Sequence, residues 1–194
     1  MNPKNARAHY DLGIIRFENK IYDEALRLFQ EALSLSPKNY ALYFNIGDCY
    51  YRLGNLDEAK KFYRKCIEYV PKHMQAYLSL ANLLLETNDY KDALRKVRTV
   101  YLMNKESAAA NFAYGVVLMK SGMLDDAMDK FTTALELDKN YSAAYLGIAE
   151  CNMFSGKYKE SLDALYCVLD ELGDADDFQK IQENLLEKIL ADDT

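Results

Sequence analysis

The chain has 194 residues, of which 50% are hydrophobic and 28% are charged, and its formal net charge is −6 at pH 7. This balance excludes a disordered chain, which holds too few hydrophobic residues to form a core. The negative charge argues against nucleic acid and anionic membranes as partners, because both attract clusters of Lys and Arg. No stretch approaches the ~18 uninterrupted apolar residues that a transmembrane helix needs.

The chain is predicted to be all-α, because helix-breaking residues are scarce, with only 8 Gly and 3 Pro. Residues of the same type recur every 34 positions in one register. The three clearest series are Gly13, Gly47, Ala81, Gly115 and Ala149; Ala25, Ala59, Ala93, Ala127 and Ser161; and Phe29, Tyr63, Val97, Phe131 and Leu165. A fixed period of this length is the signature of a repeat architecture.

Each repeat is predicted to hold two helices, as the second repeat illustrates. Its first helix is expected over residues 40–53 and its second over residues 56–69, with Gly54 between them. Glycine there supplies the positive φ that the end of a helix commonly needs. Pro71 closes the repeat, because Pro lacks an N–H group and ends helices.

In chain order, the five repeats are predicted to cover residues 6–39, 40–73, 74–107, 108–141 and 142–175. Residues 1–5 match the closing segment of a repeat, so they are interpreted as the remnant of a preceding repeat or an N-terminal lead. Apolar residues at 178, 181, 185, 186 and 189 share one helical face. Residues 176–194 are therefore predicted to form a C-terminal capping helix and an acidic tail.

This pattern resembles the tetratricopeptide repeat (TPR) superfamily over residues 6–175. The third repeat departs from the family pattern at Val97 and Val100, and Lys105 stands where Pro is usual. The resemblance implies a right-handed α-solenoid of five helix pairs plus the C-terminal capping helix. It also implies that the first helix of each pair lines a concave groove that holds an extended or helical peptide.

The sequence contains no motif that predicts catalysis, a metal site or a cofactor. There is no Gly-rich phosphate loop, no C-x-x-C pair and no Cys with an evident His partner. We therefore expect no enzyme activity. The four cysteines lie in apolar helical patterns and are interpreted as free, buried thiols of a cytoplasmic protein: Cys49, Cys66, Cys151 and Cys167.

The stripe that helical spacing places on the groove side of the first helices is unusually apolar, which is typical of an interaction surface. The candidate peptide-binding residues on it are Tyr10, Ile14, Phe17, Phe44, Asn45, Asp48, Tyr51, Leu78, Asn82, Leu85, Phe112, Val116 and Met119. For Phe44, Leu78 and Phe112 an equal alternative is packing between adjacent helices, because groove and core positions lie one residue apart.

The leading hypothesis is a scaffold or adaptor that binds a protein partner in this apolar groove. Chaperone-binding members of the family clamp a terminal carboxylate with Lys, Asn and Arg. The matching positions here hold Tyr10, Ile14, Asn45, Gln75 and Ser79, so no such clamp is predicted. Two alternatives stay open: self-association through an uncapped N-terminal end, and service as the substrate-recruiting arm of a longer enzyme.

Overall fold

A computed structural model describes residues 5–167 and residue 183. In this part of the chain there are ten helices and no strand. The helices are α1 (Ala6–Glu18), α2 (Tyr22–Leu35), α3 (Leu42–Arg52), α4 (Leu56–Tyr69), α5 (Met74–Glu86), α6 (Tyr90–Met103), α7 (Ala108–Lys120), α8 (Leu124–Leu137), α9 (Ser142–Phe154) and α10 (Tyr158–Tyr166). Their number and order match the predicted five helix pairs. Residues 1–4 of the predicted lead, and all of the predicted capping segment 176–194 except residue 183, lie outside the described residues.

Polar side chains begin several of these helices by accepting hydrogen bonds from otherwise unpaired backbone N–H groups. The Asn5 side chain accepts from the backbone nitrogens of Arg7 and Ala8, at 3.0 and 3.2 Å. His73 accepts from the backbone nitrogen of Ala76 through Nδ1 at 3.1 Å. His73 therefore serves as the N-cap of α5.

The chain divides into two compact units, residues 1–88 and 89–194. In the first unit the described helices α1–α5 each pack on the next. In the second unit the same holds for α6–α10, and α7 also contacts α9. The core of the first unit includes Ala25, Phe29, Ala32, Leu42, Ile46 and Cys49, and that of the second includes Leu118, Ala127, Phe131, Ala134, Ala144 and Cys151.

In the first, second and fourth pairs the helices touch where a glycine of the first helix meets an aromatic ring of the second. A Cβ atom built on Gly115 would lie 2.6 Å from the ring of Phe131, and one on Gly13 would lie 2.6 Å from that of Phe29. In the fifth pair the glycine is replaced by Ala149, which packs with the smaller side chain of Leu165. Ser161 replaces alanine in that pair, and its buried hydroxyl donates to the Ala149 carbonyl at 2.8 Å.

Three of the four cysteines are buried, as predicted: Cys49, Cys66 and Cys151. Burial raises the pKa of the Cys49 thiol to about 12 and that of the Cys66 thiol to about 11, so both are neutral at pH 7. The prediction is wrong for Cys167, which is exposed. Cys167 is the residue that directly follows α10.

Candidate functional site

The first unit contains a polar cavity of about 240 Å³. Four of the predicted binding residues lie together on its wall: Phe17, Asp48, Tyr51 and Asn82. The other lining residues are Arg52, Tyr63, Gln75 and Ser79. The side chains come from the first helices of three successive pairs, α1, α3 and α5, and from the second helix α4. Successive pairs thus bring residues 65 positions apart in the sequence, Phe17 and Asn82, into one recess.

Asp48 is the half-buried carboxylate of this cavity. The Tyr63 hydroxyl donates to Asp48 Oδ1 at 2.7 Å. Burial raises the pKa of Asp48 above its ordinary value, and the hydrogen bond from Tyr63 and the charge of Arg52 oppose that rise only in part. Burial and the neighbouring carboxylate together raise the pKa of Tyr63, so its hydroxyl keeps its proton and remains the donor.

The two other aromatic residues of the cavity are each held by a contact outside it. The Tyr51 hydroxyl donates to the Glu86 carboxylate, and this hydrogen bond is the main reason that the pKa of Tyr51 is raised. The ring of Phe17 meets the ring of Tyr22 edge to face, with centroids 5.3 Å apart. These contacts orient two aromatic rings beside one carboxylate.

The second unit contains a separate recess of about 270 Å³ with a mainly apolar wall. It lies between α7 and α9 and is lined by Phe112, Val116, Met119, Lys120, Ala143, Leu146, Gly147 and Glu150. Lys120 Nζ and Glu150 Oε2 are 3.8 Å apart and exposed, so one weak ion pair spans the two helices. Three predicted residues are brought together here: Phe112, Val116 and Met119.

Met119 offers this recess little surface, since its exposed fraction is only 6% and it packs in the core of the second unit. This corrects the prediction that it lies open on the groove. Phe112 is shared: it lines the recess, and its ring also packs 5.6 Å from that of Phe131. On α7, therefore, Phe112 both lines the recess and packs between helices, which are the two interpretations that the sequence left open for it.

The remaining predicted residues lie in neither recess. Phe44 packs between the rings of Tyr63 and His73, at 5.9 and 4.8 Å, which supports its alternative interpretation as a packing residue. Ile14 packs on the core of the first unit. Tyr10 lines a different cavity, of about 380 Å³, with Ala6, Arg7, Ser36, Asn39 and Ala41. Asn45, Leu78 and Leu85 are half-buried on α3 and α5.

The sequence assigned Tyr63 to the core alone. It placed Arg52, Gln75 and Ser79 on the groove stripe, but they were not among the candidate binding residues. The available signal was the identity of residue 63, since the aromatic series has Phe at 29 and 131 but Tyr here. A buried Tyr hydroxyl usually has a hydrogen-bond partner. Asp48 is that partner, and both residues line the polar cavity.

Among residues 5–167 and 183 there is no group of three or more His, Cys, Asp or Glu side chains placed to hold a metal ion. Within the same residues, no helix combines the length and the hydrophobicity needed to cross a membrane.

Two models of the tetratricopeptide repeat match the chain, one at residues 16–81 and 118–185 and the other at residues 78–142. The chain belongs to the tetratricopeptide repeat family. The fold that this family shares is typically a non-enzymatic protein-interaction module, so the chain is a protein-interaction scaffold in this general sense. No curated protein matches the sequence.

Solved structures share the fold at low sequence identity. PilW, a type IV pilus biogenesis factor, superposes with a TM-score of 0.84 at 15% identity, over 95% of this chain and 86% of PilW. A TPR protein from Parabacteroides merdae gives 0.82 at 22% identity, over 95% and 73%. YrrB, described as a TPR protein with an unusual peptide-binding site, gives 0.69 at 20% identity, over 100% and 94%.

Proposed function

We propose that this TPR protein binds a peptide segment of a partner protein in the polar cavity of its first unit. The supporting observation is the convergence of Phe17, Asp48, Tyr51 and Asn82 from three helix pairs. A recess with aromatic walls and a few polar groups suits a peptide, because the rings supply contact area and the polar groups fix orientation. Asn82, which is exposed at the rim, is suited to hold a backbone amide of that peptide.

The proposed peptide is not held by a carboxylate clamp. The cation positions of that clamp match Tyr10, Gln75 and Ser79, and its first Asn position matches Ile14, so none of these residues fits. In the structure Tyr10 packs against Phe29, with ring centroids 6.0 Å apart, and Ile14 packs on the core. The one guanidinium on the cavity wall, Arg52, lies beside the Asp48 carboxylate. We therefore expect an internal segment of the partner rather than its C-terminus.

Selection from a displayed peptide library tests the proposal. The protein would be used as the target in its original form and as the double variant Phe17→Ala/Tyr51→Ala. Ile15→Ala is the matched control, because Ile15 lies on the same helix as Phe17 and is 50% exposed but does not line the cavity. Circular dichroism and thermal unfolding would establish that each variant is folded.

We expect peptides selected on the original protein to bind the Ile15→Ala variant equally and the double variant at least about tenfold more weakly. Equal binding to a folded double variant would contradict the cavity assignment. Self-association is the alternative from the sequence, and sedimentation velocity over a range of concentrations tests it. A monomer throughout the micromolar range would count against that alternative.

A further inference from the structure

The Asp48 carboxylate of the cavity accepts fewer hydrogen bonds than it has the capacity for. Asp48 Oδ1 accepts the hydrogen bond from Tyr63, and no other hydrogen bond or ion pair reaches this carboxylate among the described residues. A carboxylate has about four acceptor positions on its two oxygens. A half-buried carboxylate with one donor therefore has both the capacity and the energetic reason to accept further donors from a ligand.

The surroundings of Asp48 favour a cationic ligand. Phe17 and Tyr51 place aromatic rings on the same wall, and the faces of such rings attract cations within about 6 Å. Glu86, whose carboxylate accepts from Tyr51, adds a second negative charge next to the cavity. Asp48 and Glu86 outnumber the one positive charge, Arg52, so the recess with its rim carries an excess negative charge.

The polar groups on the cavity wall favour arginine over lysine as the basic side chain of the ligand. A guanidinium is planar, stacks on aromatic rings and donates up to five hydrogen bonds in a fixed fork, whereas an ammonium is a compact, strongly hydrated point charge. The side-chain oxygens of Gln75, Ser79 and Asn82 are acceptors on the same wall as Asp48. We propose that this cavity binds the side chain of an arginine of the partner peptide, with Asp48 as its counter-charge. This inference rests on the proposed peptide-binding function.

Arg52 is the feature that opposes this ligand. It lies one helical turn after Asp48 on α3, is exposed, and lines the same cavity. Its positive charge partly offsets that of Asp48, as the opposing effect of Arg52 on the pKa of Asp48 indicates. If arginine is the ligand, removing the charge of Arg52 strengthens binding. If instead Arg52 binds an acidic residue of the peptide, removing it abolishes binding.

The experiment is the same library selection, carried out on four forms of the full chain: the original protein, Asp48→Asn, Arg52→Gln and Asp57→Asn. Asn at position 48 keeps an acceptor for Tyr63 and nearly the same volume. Asp57→Asn is the matched control, since it removes one carboxylate from the exposed first turn of α4, away from the cavity. Enriched peptides would then be synthesised with each arginine replaced by citrulline, its neutral analogue, and their dissociation constants measured.

We expect the original protein and Asp57→Asn to enrich peptides with arginine at one position, and citrulline at that position to weaken binding about tenfold or more. With Asp48→Asn this arginine preference and the citrulline effect are lost, and with Arg52→Gln the arginine peptides bind more tightly. Peptides selected without arginine, or with an acidic residue that depends on Arg52, would overturn this inference while the proposed function stands. A selection that yields no peptide on any form would overturn both.

Discussion

Five residues at equivalent positions turn the chain from the first to the second helix of each pair with positive φ. Three are glycines, Gly54, Gly122 and Gly156, with φ of 77°, 80° and 74°. The other two are Lys20 at 62° and Asn88 at 58°. An L-residue with a side chain strains the backbone in this region, and Asn tolerates it better than Lys because its short polar side chain bonds locally. Lys20 is therefore the most strained of the five.

Lys20→Gly is expected to stabilise the protein by about 0.5–1 kcal/mol, since the relief of left-handed strain exceeds the greater chain entropy that glycine has when unfolded. Urea unfolding followed by circular dichroism measures the change. Asn88→Gly should give a smaller gain. Gly54→Ala is the converse control: a Cβ there meets no atom within 4 Å, so any loss of stability is conformational. A destabilised Lys20→Gly variant would contradict this account.

Asp48 makes the stability of the fold depend on pH in an unusual direction. Its pKa is raised in the folded protein above the ordinary 3.8, chiefly by burial. The folded chain therefore holds this proton over a pH range in which the unfolded chain has released it. The contribution of Asp48 to the free energy of unfolding is fully present below pH 3.8. It is lost as the pH rises through the pKa that Asp48 has in the folded protein.

Because Asn does not titrate, Asp48→Asn should gain stability relative to the original protein as the pH is raised from 3 to 7. Urea unfolding at both pH values measures this difference. Asp57→Asn, the exposed control, accounts for the loss of one negative charge from a chain of net charge −6. If Asp48→Asn is stabilised at pH 7 no more than at pH 3, burial does not raise the pKa of the Asp48 carboxyl.

At the scale of the helix pair, the contact of a small residue with a ring sets how closely two helices approach. Phe131 is the most constrained ring, because Cβ atoms on Gly115 and on Gly147 would each lie 2.6 Å from it. One ring of α8 thus fixes the distances to α7 and α9. The pair Ala149 and Leu165 is the alternative solution, in which a methyl group faces a smaller side chain.

Gly115→Ala is expected to destabilise the protein by about 1–3 kcal/mol, since overpacking exceeds the gain in helix propensity. Phe131→Leu destabilises by itself through the cavity it leaves. The two together should cost less than the sum of their separate effects, because leucine makes room for the added methyl group. Thermal or urea unfolding of all four forms gives this coupling. Strict additivity would show that the methyl group is accommodated elsewhere.

The pairing of helices could be predicted from the sequence because it is repeated, whereas the cavity could not because it occurs once. The 34-residue series placed Gly13, Gly47 and Gly115 at helix contacts without knowledge of the fold. Met119 was placed one position too far toward the surface, since neighbouring helical positions differ by 100° and the period alone does not locate the edge of a buried face. The residue type of Lys20 does not indicate a positive φ, but its position does, since it lies 34 residues before Gly54 in the register of the repeat.

On the scale of the whole molecule, the net charge of −6 affects the association rate of a charged ligand more than its dissociation rate. A negative field steers a cationic peptide toward the protein, and salt screens that field over about 10 Å at 0.1 M. Asp48→Asn changes the net charge by one unit but removes the proposed counter-charge of the bound arginine. The field and the local contact can therefore be separated by kinetics.

For an arginine-bearing peptide from the library, we expect the association rate to fall several-fold between 0.05 and 0.5 M NaCl, to a similar extent on the original protein and on Asp48→Asn. The dissociation rate should be about tenfold higher on Asp48→Asn and should depend little on salt, because a half-buried pair is screened less than the surface. Stopped-flow fluorescence of a labelled peptide measures both rates. An effect of Asp48→Asn confined to the association rate would assign its charge to the general field of the protein, and the cavity would then have no special role in holding the arginine.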